Sequence, residues 1–349
     1  MRQRVLNFNL AFCLLLLSFQ IYAQSKPLEL YPSLEEFYLE IEQLAKDYPS
    51  MVKLEIIGQS VEQRPIYLLR ITSSSKPAPK ALITGGIHAC EFIGARLAMQ
   101  VAHLLVEQDN PEIIELISKI EIDIVPLLNP DGYYRVYAHN GRGGKIGTRK
   151  NANGVDLNRN FPVVPGAKSY HPLAGNRRPN SNYYMGKEEL SEPETRAISQ
   201  LVKKEKFFIA FNLHSVAGKF LYPYAYSKKP APDIEFFKAV GEAFSQAQKN
   251  YLYKVEQSYN WYPTLGDMDD YLYLWFGIPS FTVEVGTVKS NLFDQGFKKI
   301  KLFWFANPKD KYEFWLENDS YALIFAIKKA EEISSGKPIA SSQLGGKDE

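Results

Sequence analysis

The chain alternates between two hydrophobic patterns, and this alternation predicts its secondary structure. Apolar residues at helical spacing predict helices over residues 34–48, with Ser33 as the cap, and over residues 92–106, 233–248 and 309–333. Short apolar runs predict buried strands over residues 52–57, 66–71, 81–84, 120–128, 207–213 and 280–285. Strands that alternate with helices indicate an α/β fold, with a largely parallel sheet covered on both faces.

Polar segments interrupt this pattern in the middle of the chain. Residues 129–132 (NPDG) are typical of a turn, and residues 133–185 form a long stretch rich in Gly, Asn and Arg. Irregular segments of this length in a compact domain are usually functional. Residues 191–194 (SEPE) then predict a helix start with Ser191 as the cap, and this helix extends to about Lys204.

The first 23 residues are typical of a secretory signal peptide. Arg2 and Arg4 precede an apolar run over residues 10–19, and Ala23 is a small residue suited to cleavage. A membrane anchor is the alternative, but the run is short for a span of about 20 residues. We therefore expect an exported protein, periplasmic or secreted, with no stable membrane insertion after cleavage.

The composition of the chain bears on its core, its partners and its disulfides. Hydrophobic residues make up 45% of the chain, which supports a large core, and the polar residues 334–349 are expected to be a disordered tail. The formal net charge of +2 gives no electrostatic argument for a nucleic-acid partner. Only Cys90 remains after signal cleavage, so no internal disulfide is expected.

Three residues in the order His, Glu, His suggest a metal site. His88 and Glu91 follow one predicted strand, and His214 ends another strand far downstream. Two ligands from one turn and a third from a remote strand, with one coordination position left open, are typical of catalytic zinc. Each part alone is a weak signal, because an HxxE pair is more often a solvated surface pair. All three residues, and Glu284 with them, lie near the carboxyl ends of strands, where sites form in such sheets.

Five short motifs occur in one order along the chain. They are residues 84–91 (TGGIHACE), 129–132 (NPDG), 154–161 (GVDLNRNF), 211–215 (FNLHS) and 281–286 (FTVEVG). Together they resemble the zinc carboxypeptidase family, the carboxypeptidase A-like metallopeptidases, and within it a secreted member of bacterial type. The resemblance covers residues 31–304.

The resemblance implies a fold, a cofactor and residue roles. The fold is a three-layer α/β/α sandwich around a mixed, mostly parallel sheet of about eight strands, with residues 24–333 as the catalytic domain. The cofactor is one Zn²⁺ per chain. The matching positions are His88, Glu91 and His214 as zinc ligands, Glu284 as general base and acid, Arg149 as the arginine that polarises the scissile carbonyl, Asn158 and Arg159 as the grip on the terminal carboxylate, and Tyr262 as the mobile tyrosine that closes over substrate.

Peptide hydrolysis requires these residue types on chemical grounds as well. Zinc lowers the pKa of bound water to about 7, and a carboxylate such as Glu284 must take that proton and return it to the leaving amine. The oxyanion needs positive charge, as from Arg149, and loss of one such donor typically costs about 3 kcal/mol in the transition state. A guanidinium fork and an amide, as in Arg159 and Asn158, suit a free carboxylate.

Two of these positions, and the neighbouring Cys90, have alternative interpretations. Arg149 has the alternative of a solvated loop charge, and Tyr259 and Trp261 are close rivals of Tyr262. Cys90 stands where many relatives have an arginine that helps to bind residues further along a peptide. We expect Cys90 to be a packed small residue, with a fourth metal contact or an oxidisable thiol as the alternatives.

One acidic position bears on specificity. Asp269 stands fifteen residues before Glu284, where the family places the floor of the pocket for the terminal side chain. An acid there favours a cationic terminal residue, by attraction and by selective pairing. Asp267 and Asp270 compete for this role, and a capping aspartate before a helix is the other interpretation of Asp269.

The sequence therefore predicts a zinc-dependent metallocarboxypeptidase that prefers a basic or amine-bearing terminal residue, acting on peptides or cell-wall peptides. One alternative is a peptidoglycan hydrolase that cuts at diaminopimelate or D-residues, and another is an amidohydrolase on the same scaffold. An inactive metal-binding module is disfavoured, because Glu284, Arg149 and all three ligands are present.

Overall fold

The computed structural model describes residues 28, 30–107, 109–142, 149–287, 303, 306–308 and 311–335. Within these residues, eight strands form one sheet. They are β1 (Val52–Gln59), β2 (Pro65–Ile71), β3 (Lys80–Gly85), β4 (Glu121–Val125), β5 (Phe207–Ser215), β6 (Lys219–Tyr222), β7 (Lys254–Gln257) and β8 (Ser280–Val285). All the predicted strands are present, while β6 and β7 were not predicted because each is too short to show a hydrophobic pattern.

The sheet is mixed, with a parallel centre. Its strand order is β1-β2-β4-β3-β5-β8-β6-β7. The pairs β3/β4, β3/β5, β5/β8 and β6/β7 are parallel, whereas β1/β2, β2/β4 and β6/β8 are antiparallel. This order brings the carboxyl ends of β3, β5 and β8 side by side, and the predicted site residues follow or end these strands.

Helices cover both faces of the sheet. They are α1 (Leu34–Asp47), α2 (Phe92–Glu107), α3 (Pro111–Lys119), α4 (Pro130–Ala138), α5 (Pro193–Lys204), α6 (Ile234–Ala247), α7 (Ser258–Trp261), α8 (Met268–Phe276) and α9 (Tyr312–Ser334). Side chains alternate across β3, so that Ala81 and Ile83 join the larger core with α1, α2, α3, α6 and α9, while Leu82 joins a smaller core with α5 and α8. The predicted three-layer α/β/α sandwich is thus confirmed.

The predicted turn at residues 129–132 is instead the start of a helix. The Asn129 side chain accepts a hydrogen bond from the backbone N–H of Gly132, and Pro130 occupies the first turn, so the predicted turn begins α4 instead. The stretch over residues 133–185 is therefore not wholly irregular, since it contains the rest of α4 and a short 3₁₀ helix, Leu157–Arg159.

The cap of α5 also differs from the prediction. Its N-cap residue is Glu192, not Ser191, and Pro193 occupies the first turn as expected. The Ser191 hydroxyl donates to the Glu192 carboxylate at 2.7 Å instead of capping the helix. By contrast, Ser33 caps α1 in a reciprocal capping box with Glu36, which confirms that prediction.

A glycine allows α2 to pack closely on β5. A Cβ atom on Gly94 would lie 2.6 Å from the carbonyl oxygen of Leu213, too close for any side chain at this position. Gly94 lies one turn beyond Glu91, and Leu213 directly precedes His214. The close packing therefore brings the turn that holds His88 and Glu91 to the end of β5.

The ends of the chain carry predictions that the structure does not test. The predicted signal peptide and residues 336–349 of the predicted tail lie outside the described residues, as do residues 309–310 of the predicted closing helix. Ser334, predicted as the start of the disordered tail, instead ends α9, with Ser335 as its C-cap. Across the described residues, no helix combines the length and the apolar character needed to cross a membrane.

Candidate metal centre and substrate cavity

Three ligand-type side chains meet at the carboxyl end of the sheet. Nδ1 of His88 lies 2.8 Å from Oε1 of Glu91 and 3.0 Å from Nδ1 of His214. Oε2 of Glu91 lies 3.0 Å from Nδ1 of His214 and accepts a hydrogen bond from the backbone N–H of Ser215. Among the described residues, these three form the group of His, Cys, Asp and Glu side chains that could hold a metal ion. Cys90 is buried but lies outside this group.

The donor set fits a zinc ion. Both imidazoles turn the same nitrogen, Nδ1, towards one point that they share with a carboxylate. Ligand atoms about 2.0–2.1 Å from a tetrahedral ion are about 3.3 Å apart, close to the separations found here. Burial lowers the pKa of His214, which keeps its imidazole in the neutral form that binds metals. Burial raises the pKa of Glu91, but His88 and His214 outweigh it and hold that pKa below its usual range.

Asp156 connects this centre to Arg149. Oδ1 of Asp156 lies 3.4 Å from Nε2 of His88, and Oδ2 accepts a hydrogen bond of 2.6 Å from Nε of Arg149. The guanidinium of Arg149 lies over the ring of Tyr183 and 3.9 Å from Oε1 of Glu91. Arg149 is therefore fixed beside the metal centre and is not a solvated loop charge. Sequence reasoning assigned no role to Asp156, although its place inside the 154–161 motif was an available signal.

Glu284 is the neighbour of His214 across the sheet. The two residues face each other in register on the parallel strands β5 and β8. The side chain of Glu284 is buried, and its Oε2 has no hydrogen-bond partner among the described residues. Burial raises the pKa of Glu284 well above its usual value, and Glu91 raises it further, against the opposing charge of Arg149. A buried carboxyl with a raised pKa beside a metal site is suited to accept a proton and to return it.

One cavity opens beside the metal centre, and all nine site residues predicted from the sequence line it. Arg159 is almost fully buried there, with Nε and Nη2 donating to the carbonyl of Leu173 and Nη1 to the carbonyl of Asn158. The Asn158 side-chain oxygen accepts a hydrogen bond of 2.9 Å from the backbone N–H of Met268. This contact fixes the amide so that its nitrogen is left to donate elsewhere.

A second glycine allows two segments that line the cavity to pack closely together. Gly266 has a φ of +70°, and a Cβ atom there would lie 2.6 Å from the carbonyl oxygen of Arg159 and 2.7 Å from that of Phe161. The backbone N–H of Phe161 donates to the carbonyl of Gly266 at 3.1 Å. The loop before α8 therefore packs directly on the segment that carries Asn158 and Arg159.

Tyr262 also lines the cavity, and so does its rival Trp261, whereas Tyr259 does not. The ring of Tyr262 stacks on that of His171, with centroids 5.8 Å apart. Burial raises the pKa of the Tyr262 hydroxyl, and the arginines at positions 149 and 159 oppose this shift. The positive charges of both arginines therefore act on the Tyr262 hydroxyl.

The structure distinguishes the three neighbouring acids. Asp267 caps α8, with Oδ1 accepting from the backbone N–H of Asp270 and Oδ2 from the Thr264 hydroxyl. Asp270 lies away from the cavity and accepts hydrogen bonds from the backbone N–H groups of Ala225 and Tyr226. Asp269 lines the cavity and makes no capping bond, so the interpretation of Asp269 as a helix cap is wrong.

Comparison with known proteins establishes the family. The sequence profile described as zinc carboxypeptidase matches residues 38–308, and the chain belongs to this family. It is 32% identical over 224 residues to carboxypeptidase A4 of Mus musculus, covering 62% of this chain and 52% of the relative. It is 30% identical over 275 residues to the carboxypeptidase N catalytic chain of Rattus norvegicus, covering 69% and 59%. The chain thus spans between half and three fifths of the length of these curated relatives.

Solved structures show the same fold. Bovine thrombin-activatable fibrinolysis inhibitor, in complex with tick carboxypeptidase inhibitor, is similar with a TM-score of 0.70 and 25% identity, covering 88% of this chain and 98% of that one. Carboxypeptidase A from Helicoverpa armigera gives a TM-score of 0.71 at 21% identity, covering 88% and 74%. These similarities confirm the predicted fold, as the sequence profile confirms the predicted zinc carboxypeptidase family.

Proposed function

We propose that the protein is a zinc-dependent metallocarboxypeptidase that hydrolyses the C-terminal peptide bond of its substrate. The observation that supports this most strongly is the single cavity shared by the three ligand-type side chains, Glu284 and the two arginines. A metal centre with an adjacent base and two fixed cations supplies each element that peptide hydrolysis requires.

His88, Glu91 and His214 would hold the zinc ion, which supplies a Lewis acid and lowers the pKa of water to about 7. Glu284 acts as general base, taking a proton from the attacking water onto its carboxylate. It then acts as general acid and gives that proton to the leaving amine, as its raised pKa favours.

Arg149 stabilises the oxyanion that develops on the scissile carbonyl. Its Nε is committed to Asp156, and its face lies against Tyr183, so the remaining N–H groups are held in place before substrate binds. Such preorganisation is the basis of electrostatic catalysis, because no reorganisation is needed at the moment of reaction.

Asn158, Arg159 and Tyr262 bind the C-terminal end of the substrate. Three of the five N–H donors of Arg159 bond to backbone carbonyls, which leaves two for a terminal carboxylate. The amide nitrogen of Asn158 adds a further donor, and Tyr262 closes over the bound residue.

Asp269 selects a basic or amine-bearing terminal side chain. Of the three neighbouring acids, it is the one that lines the cavity without serving as a helix cap or binding backbone N–H groups. The negative charge of Asp269 at the pocket floor attracts a cationic terminal side chain. A neutral terminal side chain gives this charge no partner.

Cell-wall peptides are the second candidate substrate. Diaminopimelate carries an amine that would suit Asp269, and the signal-like residues 1–23 favour export to the periplasm or medium. We propose ordinary peptides first, because the Asn158 and Arg159 pair needs only a free terminal carboxylate.

The test is an assay of the purified full chain on peptides that differ only in the last residue, with muropeptides in parallel. Released amino acids are identified by mass spectrometry, with and without chelator. We expect zinc-dependent release of one residue, fastest for Lys or Arg, and none from C-terminally amidated peptides. Failure to release any terminal residue in the zinc-loaded protein would overturn the proposal.

A further inference from the structure

Asp269 receives hydrogen bonds from three side chains of the sheet beneath it. Nδ2 of Asn212 and Oγ of Ser280 both donate to Oδ1, the latter at 2.6 Å. Oγ1 of Thr282 donates to Oδ2 at 2.5 Å. The two oxygens of this carboxylate are thus unequal, because Oδ1 has two donors and Oδ2 has one.

Asn212 cannot reverse its amide without losing these contacts. Its Oδ1 accepts a hydrogen bond from the hydroxyl of Thr84, so its nitrogen faces Asp269. The reversed amide would set an oxygen against the carboxylate. Asn212 and Ser280 are both buried. The asymmetry of Asp269 is therefore built into β5 and β8.

This asymmetry bears on which cation the pocket can bind. An ionised carboxylate offers about four acceptor positions, two on each oxygen. At Asp269, both positions on Oδ1 are filled, and one remains on Oδ2. An ammonium group is a compact point charge that one oxygen can accept. A guanidinium binds most strongly as a fork across both oxygens, which this carboxylate cannot provide.

We propose that Asn212 and Ser280, by saturating Oδ1 of Asp269, make the pocket selective for a terminal side chain that carries a primary amine over one that carries a guanidinium. The proposal rests on the proposed function, in that Asp269 must form the floor of the pocket for the terminal residue. Asn212 and Ser280 are then positioning residues for specificity. They act through Asp269 and not through the reacting atoms.

The test compares kcat/KM for matched peptides ending in Lys, ornithine, Arg and Leu. We expect the wild type to prefer Lys over Arg by about tenfold or more, since the fork is blocked. Ser280→Ala and Asn212→Ser each free a position on Oδ1, so the Lys/Arg ratio should fall at least about fivefold, with Arg gaining. Because each ratio is taken within one variant, partial loss of folded protein cancels. Ser199→Ala is the matched control, since Ser199 is a buried serine that bonds to the hydroxyl of Tyr271.

The outcomes separate this proposal from the one on which it rests. Arg cleaved as well as Lys by the wild type, or an unchanged ratio in both variants, would overturn the amine selectivity and leave the carboxypeptidase assignment standing. Loss of release from every peptide would count against the carboxypeptidase itself. A Lys/Arg ratio that moves in Ser199→Ala as far as in Ser280→Ala would also overturn the proposal, because the effect would then not depend on Oδ1.

Discussion

Nε of Arg149 donates to Oδ2 of Asp156 at 2.6 Å, while the other oxygen of the same carboxylate lies 3.4 Å from Nε2 of His88. One buried side chain therefore holds Arg149 and lies beside His88, one of the proposed metal ligands. Burial raises the pKa of Asp156, but Arg149 and His88 outweigh it and hold that pKa well below its usual range. These two neighbours thus favour the charged form of this carboxylate.

Asp156→Asn should weaken both metal binding and catalysis. Loss of a carboxylate that orients a metal-bound histidine typically costs 10–100-fold in metal affinity or activity, and we expect about that range here. Zinc retained after dialysis against a graded chelator measures the first effect, and kcat at saturating zinc measures the second. Asp233→Asn is a suitable control, because Asp233 accepts a hydrogen bond from Tyr273 away from the cavity. Unchanged zinc retention and kcat in Asp156→Asn would refute the linking role.

Glu284→Gln should strongly lower kcat without releasing the metal. Removal of a general base and acid typically lowers the rate by 10²–10⁴-fold, and the amide cannot accept the proton. Zinc content and kcat are measured on the same preparation. Hydrolysis that continues at the wild-type rate in Glu284→Gln would show that another group serves as the base.

The preference for basic ends should depend on pH through Asp269. Burial raises the pKa of Asp269 to about 7, against hydrogen bonds from Ser280, Thr282 and Asn212. As the pH falls through 7, the carboxyl becomes neutral and its attraction for a cation is lost. The ratio of kcat/KM for Lys-ended over Leu-ended peptides should therefore fall below pH 7 in the wild type, and should be low and flat in Asp269→Asn. A wild-type ratio that is constant from pH 5 to 9 would contradict this.

The stability of the protein should also vary with pH through Asp319. This residue in α9 is fully buried, and burial raises its pKa to about 7, against hydrogen bonds from Tyr253 and Gln248. Between pH 4 and 7 the folded state keeps a proton that the unfolded state has released, so the stabilising contribution is present below about pH 4 and is lost as the pH rises to 7. The difference in unfolding free energy between wild type and Asp319→Asn should decline by up to about 4 kcal/mol over this window. Urea titrations at a series of pH values measure it, and a constant difference would contradict the prediction.

Gly266→Ala should distort the cavity more than a simple backbone strain would. A positive φ alone costs a non-glycine residue about 1 kcal/mol, and here the added methyl would also meet two carbonyl oxygens. Gly166→Ala is the matched control, because Gly166 has a φ of +81° with no atom within 4 Å of the added Cβ. We expect Gly266→Ala to lose clearly more unfolding free energy than Gly166→Ala and to raise KM. Equal losses of unfolding free energy in the two variants would show that the close approach of the added methyl to the two carbonyl oxygens does not lower stability.

The motif residues could be predicted from the sequence, since a zinc peptidase needs specific side chains in a specific order. The nine predicted residues all line one cavity, because most of them follow or end a central strand or lie in the segments above the sheet, and Asp269 lies in the first turn of α8. The hydrophobic pattern likewise predicted the longer strands and the helices α1, α2, α6 and α9, although the short amphipathic helix α3 was not predicted. It failed for α8, whose residues are nearly all buried and show no polar face.

Only the tertiary structure decided how these residues are used. The sequence favoured Asp269 over its rivals Asp267 and Asp270 by its spacing to Glu284 alone. The structure separated the three, because Asp267 caps its own helix, whereas Asp269 and Asp270 bond to groups from other parts of the chain. Asp156 and Asn212 were not singled out because their importance lies in contacts with residues such as His88 and Asp269, far away in sequence. Local residue types limit what chemistry is possible, whereas hydrogen-bond geometry depends on how remote strands pack together.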